Sequence, residues 1–304
     1  MVHNLTTNYE GVHGVIRGWR EVLDSYSSQG QARVMVGEVY DPVDQVVTYY
    51  QDQFDFPFNF ILLGNYNWTG TRVSQLVSDW LDSVPEGAWS NWVLGNHDNS
   101  RISSKAGVYL ARALNVLLLT LPGTPTTYYG EEILMTDVYA PPPERHDVSG
   151  EDRDKERTPM QWDNSTNAGF TFPTSKPWLP LATNYSVYNV EVETNNTLSP
   201  LSLYRQLTEL RSTHPALQYT GYQTVFNSTD VFAYLRSANA AGEILVVINF
   251  SEKETKVDVS EGAKLEEPVV LLSSNLNRTG SISLSDVELL AGEALLIKSS
   301  TDCF

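Results

Sequence analysis

Residues 90–101 read SNWVLGNHDNSR, an apolar stretch that ends abruptly in Asn96, His97, Asp98 and Arg101. A plain buried strand ends in a turn; this one ends in a cluster of polar and titratable side chains. Barrel enzymes place their chemistry at the C-terminal ends of parallel strands, where the loops begin. The stretch is therefore a candidate active-site strand end, and the rest of the chain is read outward from it.

Upstream, ARVMVGEVY (32–40) is a short β-branched run containing Glu38, and FDFPFNFILL (54–63) is a second strand-like run. Before them, VIRGWREVLDSYSS (15–28) sets Val15, Trp19, Val22 and Leu23 on one side of a helix, with Asp24 as a solvated charge. RVSQLVSDWLDSV (72–84) and AGVYLARALNVLLLT (106–120) also carry helical spacing, and LPGTPTTYYGEE (121–132) is a fourth short strand punctuated by Gly123, Pro125 and Gly130. Strands alternating with helices imply βα units, a parallel sheet and an α/β class.

Residues 135–199 form a Pro- and Asn-rich excursion too long for an ordinary connection, and loops of that length are usually functional. Its acidic part, ERHDVSGEDRD (144–154), lacks the position pattern of an EF-hand and reads as a solvated loop. SPLSLYRQLTELRSTHPAL (199–217) reads as a closing helix, with Pro200 in its first turn and Pro215 at its end. From Gln218 the pattern changes to short strands at close spacing, as in an antiparallel β-sandwich. The expected domains are 1–216 and 217–304.

Composition narrows the function. The 304 residues include 37 acidic and 20 basic side chains, a formal charge of −17 that argues against nucleic acid or anionic lipid as partner and for a neutral ligand. No stretch approaches the roughly 18 apolar residues of a membrane span. Asn-x-Ser/Thr sequons at Asn4, Asn67, Asn164, Asn184, Asn195, Asn227, Asn249 and Asn277 suggest the secretory pathway, with Asn249 inside a strand-like run. The N-terminus has no signal peptide, so the true beginning is expected to lie upstream. The single Cys303 has no partner for an internal disulfide.

Glycoside hydrolysis needs two carboxyl groups flanking the scissile bond. Glu38 and Asp98 both lie at ends of expected parallel strands, and in one barrel their side chains would converge on one mouth. Burial of Glu38 there would raise its pKa toward that of a general acid. Arg101 reads as a structural ion-pair partner for Asp98, and His97 as a loop or core histidine.

Taken together, VMVGEVY, NWVLGNHDNSR, LPGTPTTYYGEE and RTPMQWDNSTNAGFT (157–171) resemble the α-amylase superfamily (glycoside hydrolase family 13), in its maltase and oligo-1,6-glucosidase branch. The resemblance implies a (β/α)8 TIM barrel followed by a β-sandwich, acting with retention on terminal α-linked glucose of oligosaccharides. It implies Glu38 as general acid/base and Asp98 as the carboxylate that stabilises the transition state. His97 and Arg101 are implied as neighbours lining the glucose subsite, Arg157 as a residue near the substrate, and Trp162 as packing. No cofactor or metal is implied within these residues. The family's nucleophile motif, GFRxDA-like, is absent from the chain. The chain therefore reads as a partial barrel, strands five to eight, plus the C-terminal domain, and as inactive by itself.

The same stretches resemble the heavy-chain ectodomains of amino-acid transporters of the rBAT type. That alternative implies a membrane anchor upstream, and either reading places the protein outside the cell, secreted or at the plasma-membrane surface. Retention of Glu38, His97, Asp98 and Arg101 together favours the enzyme.

Overall fold

The computed structural model describes residues 8–28, 30–141, 144–147, 152–219, 221–238 and 242–302. Asn4 and Cys303 lie outside the described residues. The chain divides into two compact units. One comprises Met1–Gly64, Gln75–Val93 and Gly123–Thr126, and the other Asn65–Ser74, Leu94–Pro122 and Thr127–Phe304.

In the first unit, helix α1 (Glu10–Ser25) follows the expected amphipathic spacing. Only Ile16 of its apolar residues is fully buried, whereas Val15, Trp19 and Val22 are more than half exposed. Asp24 pairs with Arg20 at 2.7 Å, and Arg20 also holds Asp55 at 2.9 Å. Strand β1 (Val36–Gly37), the short helix α2 (Val43–Val46) and strand β2 (Phe56–Pro57) follow, with β1 and β2 parallel and Val36 opposite Phe56. A Cβ at Gly37 would stand 1.9 Å from the Phe54 ring, so only glycine fits immediately before Glu38.

Helix α3 (Gly70–Leu81) leads to strand β3 (Asn91–Val93). After α4 (Ile102–Lys105) and α5 (Val108–Thr120), strand β4 (Thr124–Thr126) pairs in parallel with β3, Asn91 opposite Thr124. Buried Asn91 joins three segments of the first unit. Its Nδ2 donates to the Thr124 carbonyl at 2.9 Å and to Thr126 Oγ1 at 2.7 Å, and its Oδ1 accepts from the Asn59 backbone N–H at 3.3 Å.

All four expected strands occur in the expected order, but each has only two or three residues. Their ladders are the separate pairs β1–β2 and β3–β4. Pro57 and Pro125 explain part of this shortness, because a proline inside a strand removes a ladder donor.

In the second unit α5 is mainly apolar and buried along ten of its residues, as a helix inside a core must be. Helix α6 (Val190–Thr194) is followed by α7 (Pro200–Thr213), whose Ser199 side chain caps Ser202 N–H, and by α8 (Pro215–Gln218). Strands begin at Gly221, three residues after Gln218, where the sequence pattern changes. They are β5 (Gly221–Asn227), β6 (Val231–Ser237), β7 (Glu243–Asn249), β8 (Thr255–Val257), β9 (Pro268–Ser273), β10 (Gly280–Ser281), β11 (Val287–Leu289) and β12 (Ala294–Ser299).

Six of these strands form one antiparallel sheet in the order β10-β9-β12-β7-β6-β5, and β8 pairs with β11. Val231, Ala233, Leu245, Val247, Leu295 and Ile297 of the sheet pack on Val257, Val287 and Leu289 of the pair, which is a sandwich core. Among the described residues no helix is long and apolar enough to cross a membrane.

Candidate active site

Asp98 lies in the second unit, five residues beyond the end of β3. Asn96 shapes the turn: its Oδ1 accepts from Asp98 N–H at 3.0 Å and from Asn99 Nδ2 at 2.8 Å. Two arginines converge on the carboxylate. Arg153 Nη1 donates to Asp98 Oδ1 at 2.8 Å, and Arg157 Nη2 to the same oxygen at 2.6 Å. Arg157 Nε donates to the His97 carbonyl at 2.6 Å, so one guanidinium spans both residues. The His97 ring is exposed, with Nε2 at 3.6 Å from Asp98 Oδ2, beyond hydrogen-bond reach.

The long excursion supplies both arginines, and Asp147, Arg153 and Asp154 of the acidic stretch expected to be a solvated loop belong to the network. Asp147, 4% exposed, holds Arg153 through Nε at 3.0 Å and Nη2 at 3.2 Å. Hydrogen bonding to Asp147, with Asp98 adding to it, pushes the Arg153 guanidinium pKa above its ordinary value. Buried Asp154 in turn accepts the backbone N–H groups of His146 and Asp147. Buried carboxylates satisfied in this way are scaffolding, which is why the solvated reading fails. Arg153 and Asp147 were missed from sequence; the available signal was the alternation of Arg and Asp in EDRD, next to Arg157.

Arg101 is placed differently from either expectation. It is 1% exposed, and its guanidinium is turned away from Asp98 onto the rings of Tyr128 and Tyr129, 4.9 and 4.5 Å from their centroids. Its backbone N–H donates to Asp137 Oδ1 at 2.8 Å as the chain enters α4, and this local turn directs the side chain inward. Trp162, expected as packing, is half exposed.

Beneath the strand end lies a buried charge cluster. Lys105 Nζ donates to the Leu94 carbonyl at 3.1 Å, and burial pushes its pKa down to about 8 against the charges of Glu131, Asp137 and Glu156. Glu131, 2% exposed, is pushed up to about 8 by burial, opposed by the Tyr128 N–H and by Lys105 and Arg101. Its Oε1 stands 2.5 Å from where a Cβ on Gly95 would be, so Gly95 fits where a larger residue would collide.

Glu38 lies in the first unit, one residue past β1. Its side chain is exposed, where burial was expected, and among the described residues β1 pairs only with β2. It borders a groove of about 940 Å³ whose lining is mainly apolar, including Val15, Trp19, Val36 and Tyr40. Among the described residues no group of three or more His, Cys, Asp or Glu is arranged to hold a metal ion.

Residues 2–220 match the α-amylase catalytic domain, more than half of the chain. The chain belongs to the α-amylase family. Within that family it is 33% identical to the amino acid transporter heavy chain SLC3A1 of Homo sapiens, over 99% of this chain and 45% of that protein. It is 34% identical to maltase 1 of Drosophila virilis, over 89% of this chain and 46% of that protein.

Among solved structures, the trehalulose synthase MutB from Pseudomonas mesoacidophila MX-45 superimposes with a TM-score of 0.82 at 26% identity, covering 96% of this chain and 59% of that one. These α-amylase-fold neighbours imply a TIM barrel with a β domain, to which the antiparallel sheet corresponds. The chain spans about half the length of the curated relatives it matches.

Proposed function

We propose that this α-amylase-family chain carries the acid/base and transition-state side of a retaining α-glucosidase acting on terminal α-linked glucose. The observation that carries the reading is the state of Asp98. Both arginines bind Oδ1, and among the described residues the group beside Oδ2 is the His97 ring at 3.6 Å, which leaves Oδ2 as a fixed acceptor for sugar hydroxyls. An acceptor held in place by two guanidiniums costs little reorganisation as positive charge develops on the sugar.

In this reading Glu38 protonates the leaving glycosidic oxygen, Arg153 and Arg157 keep Asp98 in place, and the His97 ring lines the glucose subsite. The nucleophilic carboxylate comes from a segment outside this sequence, consistent with the chain matching 45% of its first relatives' length. The barrel part runs through residue 216 and the sandwich from 217. The site is extracellular and needs no metal or cofactor from these residues.

The test is hydrolysis of maltose by the full-length protein. Asp98→Asn is expected to lower kcat by about 10²–10³-fold, the cost typical of removing one transition-state electrostatic partner. Full activity in that variant refutes the role, and no turnover by the parent refutes the reading. A second reading, a transporter heavy-chain ectodomain, draws on the 33% identity over 99% of the chain to SLC3A1. It is favoured if the full-length protein lacks turnover and is disulfide-linked to a membrane transporter.

A further inference from the structure

We propose that Arg101, Tyr128 and Tyr129 form a positioning clamp that sets the Arg157 guanidinium against Asp98 and His97. The proposal rests on the glucosidase reading for its effect on substrate, and on contacts within the second unit for its geometry.

Arg157 reaches Asp98 from an irregular segment, so something other than a helix or sheet must fix its backbone. The two tyrosines do this from either side. Tyr128 Oη donates to the Glu156 carbonyl at 3.2 Å, and Tyr129 Oη to the Thr158 carbonyl at 2.5 Å, one residue before and one after Arg157. Glu156 and Thr158 are both buried, so these carbonyls have no ready exchange with water. With the flanking peptides held, the Arg157 side chain starts from a fixed point.

Arg101 locks the tyrosines in turn. Its guanidinium packs on both rings, and Nη1 donates to the Tyr129 carbonyl at 2.5 Å. The rings also meet each other at 4.7 Å in an edge-on arrangement. Gly130 follows in a left-handed conformation (φ +86), and a Cβ there would approach Arg101 Nη1 at 3.0 Å and Met135 Sδ at 2.5 Å. The sequence YYG is thus shaped around Arg101. Burial holds the Tyr128 hydroxyl pKa above its ordinary value, so it remains a donor through the working pH range. Arg101 is a positioning residue in this arrangement, acting on Asp98 only through Tyr128, Tyr129 and Arg157.

The full-length protein labelled with ¹⁵N-arginine tests this by two readouts. The Arg157 Nε–H resonance, identified by its loss in Arg157→Lys, reports the bond to the His97 carbonyl. Tyr129→Phe and Tyr128→Phe are each expected to speed its hydrogen exchange by about two- to tenfold, the range of one lost hydrogen bond. Each is also expected to lower kcat for maltose by a similar factor with little change in KM, because the clamp acts on the transition-state carboxylate, and to add nothing in an Arg157→Lys background.

Unchanged exchange in both variants overturns the clamp, as does a kcat effect that adds fully to that of Arg157→Lys. If the parent fails to turn over maltose, the glucosidase reading falls, and the exchange rates alone decide the clamp.

Discussion

Replacing Glu131 by glutamine is expected to make the protein more stable at pH 8 while leaving it nearly unchanged at pH 5. The carboxyl is fully buried, accepts a hydrogen bond from Tyr128 N–H at 3.1 Å through Oε2, and has no hydrogen-bond partner for Oε1 among the described residues. Burial raises its pKa from 4.5 to about 8. Between those values the native protein holds a proton that the unfolded chain has released, so stability falls as pH rises through the window.

The full shift is worth about 5 kcal/mol at about 1.36 kcal/mol per pH unit. The part accrued between pH 5 and pH 8 is about 3 to 4 kcal/mol. The glutamine side chain in Glu131→Gln keeps the shape and an acceptor for Tyr128 N–H without the ionisation. Lys105 changes the comparison in the same direction. Its pKa, already lowered to about 8, falls further without Glu131, and a lowered lysine gives stability that rises with pH. Urea unfolding followed by tryptophan fluorescence at pH 5, 6, 7 and 8 measures the difference between parent and variant. Parallel stability–pH curves for the two proteins refute the reasoning.

Arg236→Met is expected to cost about 3 to 5 kcal/mol, because buried Arg236 serves the carbonyls of Thr120, Tyr219 and Gly221 and each would lose its donor. A loss below about 1 kcal/mol in urea unfolding contradicts that account. In a secretory host, N-glycans are expected only at exposed sequons, namely Asn67, Asn164, Asn184, Asn195, Asn227 and Asn277 among the described residues. Asn249 is fully buried, with Nδ2 donating to the Lys253 and Leu290 carbonyls, so glycopeptide mass spectrometry finding sugar there is the contrary result.

Periodicity made α5 and the antiparallel sheet legible, since α5 and strands β6, β7 and β12 are the buried apolar runs the sequence marks, whereas α1 has the marked spacing but leaves Val15, Trp19 and Val22 exposed. Asp98 was legible because polar residues interrupt an apolar strand. Its partners were not. Arg153 and Asp147 sit in a segment with no repeat, and their positions depend on tertiary contacts such as those of Asp154 that spacing does not encode.

Arg101 shows the opposite error. Three residues from Asp98, it looks like an ion-pair partner, but the turn into α4 points it inward and gives it two tyrosine rings instead. For Glu38 the strand end was legible and the exposure was not, because burial depends on what packs over β1, and among the described residues β1 pairs only with β2.

The charge balance at Asp98 bears on the kind of ligand the site accepts. Of the 20 basic residues, Arg101, Arg153 and Arg157 lie near this strand end in a chain with 37 acidic ones, which on charge alone suggests an anion site. None of the three is available for one. Arg101 is buried against aromatic rings, Arg153 is divided between Asp147 and Asp98, and Arg157 between Asp98 and the His97 carbonyl. An anionic ligand would have to displace a carboxylate from two short charge-assisted hydrogen bonds and then face that carboxylate's charge. A neutral polyol meets no such cost, because its hydroxyls need only the second oxygen of Asp98 and the exposed His97 ring. In the glucosidase reading, the arginines fix a carboxylate in place, and a fixed carboxylate favours a donor-rich, uncharged ligand.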